Sequence, residues 1–270
     1  AADPSWTAAD IATSADGAQS VFVADMDNDG DMDIVSASYH DDAIAWYEND
    51  GAADPSWTAA DIATSADGAR SVFAADLDND GDMDIVSASS EDDAIAWYEN
   101  DGAANPSWTA SDIATSADNA YFIFVADLDN DGDMDIVSAS YLDDAIAWYE
   151  NDGAADPSFT AADINTGADG AVSVFVADMD NDGDMDIVST SDLDDAIAWY
   201  ENDGAASNSQ AAMGISAWTG VAAGSSVDGA IGVTHADIDG DGDLDIISAA
   251  NIDDNVSWFI NDGSPDGAGW

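Results

Sequence analysis

The sequence contains no cysteine and no lysine, and apart from two histidines Arg70 is its only basic residue. Without thiols, the chain has no disulfide, thiolate–metal or cysteine-nucleophile chemistry. Its 59 acidic residues give a formal net charge of −58 in 270 residues. A surface of this sign repels phosphate backbones and anionic bilayers, so we expect no nucleic acid as a partner.

Long apolar runs are also missing, and none approaches the roughly 20 residues of a membrane-spanning helix. We therefore expect no membrane insertion. Hydrophobic residues still make up 46% of the chain, which predicts a folded core and excludes a disordered acidic tail. The two histidines, His40 and His235, stand at unrelated repeat positions and form no triad pattern, so we predict that the protein is not an enzyme.

The most informative feature present is a nine-residue segment that runs from Asp25 through Gly30 to Asp33. It has an aspartate at every second position, and Gly30 lies between the third and the fourth. Alternating carboxylates around one glycine form a ring of hard oxygen ligands, which is the donor set that Ca²⁺ prefers. Three copies follow at intervals of 51 residues and a fifth after a longer spacing: Asp76–Asp84, Asp127–Asp135, Asp178–Asp186 and Asp237–Asp245.

Two other interpretations of these segments are weaker. An EF-hand loop needs a bidentate glutamate at its twelfth place, which is Ser36 in the first copy. Plain solvated turns have no need for five carboxylates at fixed alternate positions.

Each repeat also contains four short apolar stretches, which in the first repeat are Ser20–Ala24, Ile34–Tyr39, Ala43–Tyr47 and Ser56–Ile62. Their length and their content of valine, isoleucine and aromatic residues predict strands. The sequence Asn49-Asp50-Gly51 predicts a tight turn between the last two. Four antiparallel strands per repeat are typical of one blade of a β-propeller.

The predicted fold is therefore an all-β, five-bladed β-propeller of four-stranded antiparallel blades in a single domain, residues 1–270. The N-terminal Ser5-Trp6-Thr7 copies a segment that ends other repeats, whereas the last repeat has only three strands. We expect residues 1–12 to supply its outer strand and close the ring. A longer spacing at Ala205–Ser226 predicts an insertion, and a larger propeller remains an alternative. The predicted repeats are 13–63, 64–114, 115–165, 166–225 and 226–263, followed by a tail, 264–270.

The succession of Phe22-Val23-Ala24, the acidic segment and Asp33-Ile34-Val35 resembles the FG-GAP or VCBS repeat of integrin α-subunits, propeller lectins and secreted bacterial proteins. The segment from Asp42 to Gly51 is similar to the blade ending of the bacterial members. The resemblance implies a propeller with one Ca²⁺ per repeat, five in total.

It also implies the ligands, which in the first repeat are the carboxylates of Asp25, Asp27, Asp29 and Asp33 with the main-chain oxygen of Asp31. The corresponding residues of the later repeats are Asp76, Asp78, Asp80, Asp82, Asp84, Asp127, Asp129, Asp131, Asp133, Asp135, Asp178, Asp180, Asp182, Asp184, Asp186, Asp237, Asp239, Asp241, Asp243 and Asp245.

Two sets of aromatic residues recur with the repeat. One set has the regular spacing expected of packing between blades, with ligand stacking as the alternative: Trp46, Trp97, Trp148, Trp199 and Trp258. The other lies on the predicted outer strands, where aromatic faces beside Asp and Asn suit a sugar ring. These candidate ligand residues are Trp6, Trp57, Trp108, Phe159 and Trp218.

The copies differ mainly where the inner strand begins and in one turn. These are the positions at which a single ligand site would distinguish nearly equal blades, although sequence drift explains them as well. At the strand start they are Gln19, Arg70, Tyr121, Val172 and Ile231, and the turns begin at Tyr39, Ser90, Tyr141, Asp192 and Asn251.

Taken together, these features favour a secreted or cell-surface, calcium-binding propeller without catalysis, which binds carbohydrate like a lectin or adheres to a glycan or extracellular matrix component. A structural module of a surface layer, appendage or filament, with self-association, is the alternative. A propeller domain of a carbohydrate-active enzyme is a third interpretation. The acidity indicates a saline or calcium-rich environment, because ions must screen it.

Overall fold

The computed structural model describes residues 7–202, 204, 219–224 and 227–263, in which all regular structure is β-strand. No helix in these ranges is long and apolar enough to cross a membrane. The described residues contain nineteen strands in five antiparallel sheets, and within each sheet a strand pairs with the strands before and after it in sequence. The first sheet contains β1 (Ala18–Ala24), β2 (Asp33–Ser38), β3 (Ala43–Asn49) and β4 (Trp57–Ala63), and the second contains β5 (Ala69–Ala75), β6 (Asp84–Ser89), β7 (Ala94–Asn100) and β8 (Trp108–Ala114). The third sheet contains β9 (Ala120–Ala126), β10 (Asp135–Ser140), β11 (Ala145–Asn151) and β12 (Phe159–Asn165), and the fourth contains β13 (Ala171–Ala177), β14 (Asp186–Ser191), β15 (Ala196–Glu201) and β16 (Thr219–Gly224). The fifth sheet contains β17 (Ala230–Ala236), β18 (Asp245–Ala250) and β19 (Asn255–Phe259).

The predicted four-stranded antiparallel pattern is confirmed in the first four sheets, and the fifth has three strands among the described residues. The second strand is the most enclosed: β6, β10 and β14 are buried along their whole length. Such a strand must be apolar or small on both faces, which Ile-Val-Ser-Ala-Ser satisfies in β6, while the buried Asp84 at its start accepts two backbone hydrogen bonds. The turn between β3 and β4 contains Gly51 at φ 65°, where the carboxylate of Asp31 lies over the glycine and leaves no room for a Cβ.

In the described part of the chain, four hydrophobic cores lie between successive sheets. The core between the first two sheets contains Val35 and Trp46 from one side and Val72 and Ile85 from the other. Three further cores join the second sheet to the third, the third to the fourth and the fourth to the fifth. Packing between sheets thus explains the regular spacing of Trp46, Trp97, Trp148 and Trp199, as predicted. The same prediction is wrong for Trp258, which is 45% exposed because no further sheet among the described residues packs on it.

Polar groups join neighbouring sheets at both ends of these cores. At one end, Asn100 Nδ2 donates to the carbonyl of Met26 in the preceding repeat at 2.9 Å and to Met83 in its own at 3.0 Å. At the other end, Asp42 Oδ1 accepts from the Gly68 amide of the next repeat at 3.0 Å. Both bonds recur between the later sheets, so adjacent sheets have a fixed register.

The first strands of all five sheets line one cavity of about 340 Å³. β1, β5, β9, β13 and β17 are also successive neighbours. The sheets therefore surround a common axis with their first strands innermost, which is the arrangement of propeller blades.

Closure of the ring is not shown by the described residues. Residues 7–12, which we predicted as the missing outer strand, form no strand, and the fifth sheet has three strands among the described residues. Instead, Ile11 and Ala12 line a cavity with Tyr47 of the first sheet, just as Ile62 and Ala63 do with Tyr98 of the second. The segment thus occupies the place where an outer strand of a preceding blade ends. The tail 264–270 and residues 205–218 of the predicted insertion lie outside the described residues.

Candidate metal centres

The loop that joins the first two strands of each sheet brings three aspartates together. In the first sheet these are Asp25, Asp27 and Asp29, each of which offers one carboxylate oxygen within 4.8 Å of the others. The same geometry appears once in every sheet. The remaining groups are Asp76, Asp78 and Asp80; Asp127, Asp129 and Asp131; Asp178, Asp180 and Asp182; and Asp237, Asp239 and Asp241.

The loop backbone folds by hydrogen bonds to these same side chains. Gly30 N–H donates to Asp25 Oδ2 at 3.0 Å, and the Asp31 N–H donates to Asp29 Oδ1 at 2.9 Å. The fourth loop residue, Asn28, adopts φ 59°, a left-handed conformation that asparagine tolerates better than most residues. The loop therefore curls around its own carboxylates, so that their oxygens converge.

The ninth residue of each loop has a different environment. Asp33 is buried; its Oδ2 accepts from Met26 N–H at 3.1 Å and its Oδ1 accepts from Asn49 N–H at 2.8 Å. The same pair of bonds holds the ninth aspartate of the other sheets, so this residue connects the acidic loop to the end of the third strand. Each oxygen keeps a second lone pair, and a metal-ligand role for Asp33 stays a prediction.

Burial of the ninth aspartate changes its titration in the interior sheets. Desolvation raises the pKa of Asp84 to about 7, of Asp135 to about 8 and of Asp186 to about 7, although backbone N–H donors act in the opposite direction. At Asp245 desolvation also acts to raise the pKa, but the backbone donors outweigh it and the pKa is lowered. Without a cation, three loops thus contain a carboxyl group that is costly to ionise.

The third loop residue shows the same effect among the candidate ligands. Burial, followed by the charge of Asp131, raises the pKa of Asp129 to about 6. Burial also raises the pKa of Asp27, Asp78 and Asp180, and neighbouring carboxylates add to this effect. A bound cation would offset this repulsion, and an all-oxygen donor set suits a hard cation such as Ca²⁺.

Sequence reasoning missed the fourth loop residue, which joins adjacent loops. Asn28 Nδ2 donates to Asp82 Oδ1 of the next loop at 2.6 Å. The signal was present: four loops have asparagine at this place and the fifth has glycine, the two residues that best tolerate positive φ. The other bonds of this kind are Asn79 to Asp133 at 2.5 Å, Asn130 to Asp184 at 2.8 Å and Asn181 to Asp243 at 2.9 Å.

The predicted ligand aromatics are only partly described. Trp57, Trp108 and Phe159 begin outer strands and are half-buried. Trp108 and Phe159 pack against the edges of hydrophobic cores, which leaves part of each ring exposed. Trp6 and Trp218 lie outside the described residues, and a ligand role for the whole set stays a prediction.

A family profile decides the relationship of the chain. The FG-GAP-like repeat matches four overlapping segments, residues 25–87, 77–138, 127–189 and 178–248. The chain belongs to the FG-GAP-like repeat family. Three of the four matches begin at the first aspartate of a loop, so this FG-GAP-like chain shares the acidic loop and its flanking strands with the family, and the predicted resemblance is confirmed.

Solved structures with similar folds are distant in sequence. They include an Agrocybe aegerita lectin described as recognising non-reducing terminal N-acetylglucosamine (19% identity, TM-score 0.59, 90% of this chain and 63% of the lectin). A putative 6-phosphogluconolactonase from Bacteroides uniformis (12%, 0.56, 89% and 66%) and virginiamycin B lyase from Staphylococcus aureus (14%, 0.55, 94% and 73%) also match. At these identities the likeness concerns the fold, which carries both binding and catalytic proteins. No curated protein sequence matches the chain.

Proposed function

We propose that this chain is a calcium-stabilised propeller module that binds carbohydrate and performs no catalysis. It acts at the cell surface or outside the cell, in a saline or calcium-rich medium. The observation that supports calcium is the recurrence of one convergent aspartate group in each of five sheets. Each group lies where the innermost strand turns back, so one cation would fix the loop that connects the two most central strands of a blade.

Support for carbohydrate binding comes from the fold and from the chemistry of the surface. A propeller lectin is among the structures of similar fold, although the chain spans 63% of its length. The half-buried Trp57, Trp108 and Phe159 begin outer strands that each also contain an aspartate. Aromatic faces and carboxylates on one exposed strand suit stacking on, and hydrogen bonding to, a sugar. Repetition over the blades gives several equivalent weak sites and therefore avidity.

Catalysis has little support among the described side chains. His235 stacks on Phe175 with ring centroids 4.8 Å apart, and burial lowers its pKa, which suits a packed neutral imidazole. His40 is exposed on a turn and contacts the ring of Tyr39. Lyases and a lactonase share the fold, so turnover of oligosaccharides is the direct test of a non-catalytic role.

We also propose that residues 1–12 complete the fifth sheet and close a single five-bladed domain. The placement of Ile11 against the first sheet supports it, because Ile62 of the first blade lies in the same way against the second sheet. Cysteine pairs that join residues 5–12 to β19 would form a disulfide in a closed ring and not in an open one.

The decisive experiment titrates Ca²⁺ into chelated protein, counts bound ions and follows thermal unfolding, and then screens a glycan array at saturating Ca²⁺. We expect about five ions per chain, one for each aspartate group, a raised Tm, and calcium-dependent glycan binding. A matched variant, Asp127→Asn with Asp129→Asn, should lose one ion. An ion count near zero would refute the metal sites. A full ion count with no glycan bound would refute the lectin role alone.

A structural module remains the second candidate because the two end sheets expose apolar faces. Val21 and Val23 on β1 and Val256 and Trp258 on β19 are exposed. Apolar surface of this kind marks a contact with another blade or another chain. Calcium-dependent polymers in light scattering, together with no glycan bound, would favour this function over the first.

A further inference from the structure

Every sheet has the same irregularity at the start of its innermost strand. In the first sheet Ala18 pairs with Ser38 and Ser20 pairs with Ala37, so that Gln19 has no partner and forms a β-bulge. The bulged residues of the five sheets are Gln19, Arg70, Tyr121, Val172 and Ile231. A bulge redirects the side chain that it contains, and such irregularities commonly adjoin binding sites.

All five bulged residues line the central cavity of about 340 Å³. This end of the cavity is opposite the metal loops, because Ala18 pairs with the end of β2 whereas Ala24 pairs with Asp33. The bulged positions are also those at which the repeats differ most in sequence. Each blade therefore contributes a chemically different side chain to the wall of the cavity.

Arg70, the only arginine of the chain, stands in this wall. Its guanidinium carbon lies 4.6 Å from the centre of the Tyr39 ring and 4.3 Å from that of Tyr121. Its Nε donates to Ser90 Oγ at 3.0 Å. Among the described residues no carboxylate forms an ion pair with it, in a protein with 59 acidic residues.

The surroundings of the guanidinium extend this arrangement over three blades. The hydroxyl of Tyr39 donates to Glu91 Oε1 at 2.6 Å, so the nearby carboxylate is engaged with a tyrosine. The ring centroid of Tyr121 in turn lies 6.1 Å from that of Tyr141. Two rings cover the faces of the Arg70 guanidinium, which leaves its terminal N–H groups for a ligand.

The fold does not require this cluster. The first, fourth and fifth sheets have glutamine, valine and isoleucine at the same bulge and form the same strands. An arginine is therefore dispensable for the bulge itself. Any role of Arg70 beyond filling the bulge must therefore come from the groups that its charged guanidinium contacts.

We propose that Arg70, with Tyr39 and Tyr121, binds an acidic saccharide at this end of the central cavity. A carboxylate or sulfate of the sugar meets the terminal N–H groups of Arg70 as a forked pair of hydrogen bonds, while a ring face stacks on tyrosine. Gln19, which also lines the cavity, exchanges hydrogen bonds with sugar hydroxyls. This inference rests on the proposed carbohydrate function and names the sugar class for it.

The size and charge of the site agree with this ligand. A cavity near 340 Å³ accommodates one or two sugar rings. The negative surface repels an anion at long range, but salt screens exposed charges over about 10 Å, whereas the contact with Arg70 is within a partly enclosed cavity. Binding should therefore persist in a saline medium, where repulsion from the surface is weakest.

The single arginine makes the test direct, because a ¹H–¹⁵N spectrum of the chain contains one arginine Nε–H signal. We would titrate calcium-saturated protein with D-glucuronate and with D-glucose, which differ at one carbon that carries a carboxylate or a hydroxymethyl group. The signal should move with glucuronate only. Arg70→Gln, which installs the residue of the first sheet, should weaken glucuronate binding about tenfold or more, as measured by calorimetry.

Two further variants separate the site from the fold. Tyr121→Val installs the residue of the fourth sheet and should also weaken binding, whereas Ile231→Val on the far side of the cavity should not. An unmoved arginine signal, or equal affinity of wild type and Arg70→Gln, overturns the acidic-sugar site. If array binding to other sugars persists in that case, the proposed lectin function stands; if no sugar binds although the ion count is full, both fail.

Discussion

The inner sheets and the two end sheets of this molecule share nearly the same sequence and differ in burial. Trp97 in the second sheet is 4% exposed, whereas Trp258 at the same place in the fifth is 45% exposed. Val72 on β5 is 3% exposed and its counterpart Val21 on β1 is 65% exposed. The repeat therefore does not bury its own apolar face; the next sheet does, as in other repeat architectures.

The same contrast appears in the polar contacts. Asn100 bonds to both its own repeat and the preceding one, whereas Asn49 in the first sheet bonds within its own repeat to Met32 at 3.0 Å. Asp135 is desolvated and has a raised pKa, while Asp245 has a lowered one. The position of a blade in the series, more than the residue type, therefore decides how far a side chain is desolvated, which residues it bonds to and in which direction its pKa shifts.

Removal of calcium should have the largest effect and should act unequally on the sheets. Each site adds about 2.7 kcal/mol of stability when free Ca²⁺ is one hundred times its Kd, so EGTA should lower the Tm strongly. The fifth sheet, which packs on one neighbouring sheet among the described residues, should lose hydrogen-exchange protection before the second and third. Magnesium in place of calcium serves as the control. An unchanged melting curve would mean that the loops bind no stabilising ion.

The matched pair Trp97→Ala and Trp258→Ala tests the difference in burial directly. Loss of a buried tryptophan from a core costs about 3–5 kcal/mol, whereas loss of a half-exposed one should cost much less. Urea unfolding of both variants at saturating Ca²⁺ measures this. Equal costs would show that the face of Trp258 is covered in solution, by the first blade of a closed ring or by a second chain; the elution volume separates these two.

The pH dependence should distinguish inner from end sheets in calcium-free protein. Asp84, Asp135 and Asp186 have raised pKa values when folded, so between pH 4 and pH 8 the folded state binds more protons than the unfolded state. The free energy of unfolding must therefore fall as the pH rises through this range. Asp135→Asn should flatten the slope between pH 5 and pH 8, as measured by urea unfolding in EGTA.

Asp245→Asn is the control for that measurement. The lowered pKa of Asp245 places its titration below this range, so its replacement should leave the slope unchanged. A slope of the same sign and size in the Asp135→Asn protein would contradict the desolvation of the inner loops.

The smallest expected effect concerns the bond between adjacent loops. Asn130→Gly keeps the positive φ and removes the donor to Asp184, which should cost about 0.5–1 kcal/mol. The fifth loop already has a glycine, Gly240, at this position, and the reverse change Gly240→Asn is the matched variant. Thermal melts at saturating Ca²⁺ measure both. A loss above 2 kcal/mol for Asn130→Gly would indicate that the bond also positions a metal ligand.

Much of the fold and of the candidate metal site was predictable because it depends on local sequence. Alternating aspartates with Gly30 determine a loop whose carboxylates converge, and the grouping of Asp25, Asp27 and Asp29 was expected. Runs of β-branched and aromatic residues between turns determine the strands. By contrast, the bond from Asn28 to Asp82 and the position of Arg70 against Tyr39 join different repeats; the recurring asparagine marks its own position in the loop, but no local pattern reveals which residue of the next repeat it contacts.

The sequence by itself thus determined the repeat, its strands, its acidic loops and its charge, because these follow from short-range propensity and spacing. The tertiary structure decided which copy of each residue is buried, which aspartate is desolvated and which bulged residues share one cavity. Those outcomes depend on the neighbour that packs against each sheet. In a series of nearly identical blades, only the assembled arrangement makes Trp97 differ from Trp258, and Arg70 differ from Gln19 in what it contacts.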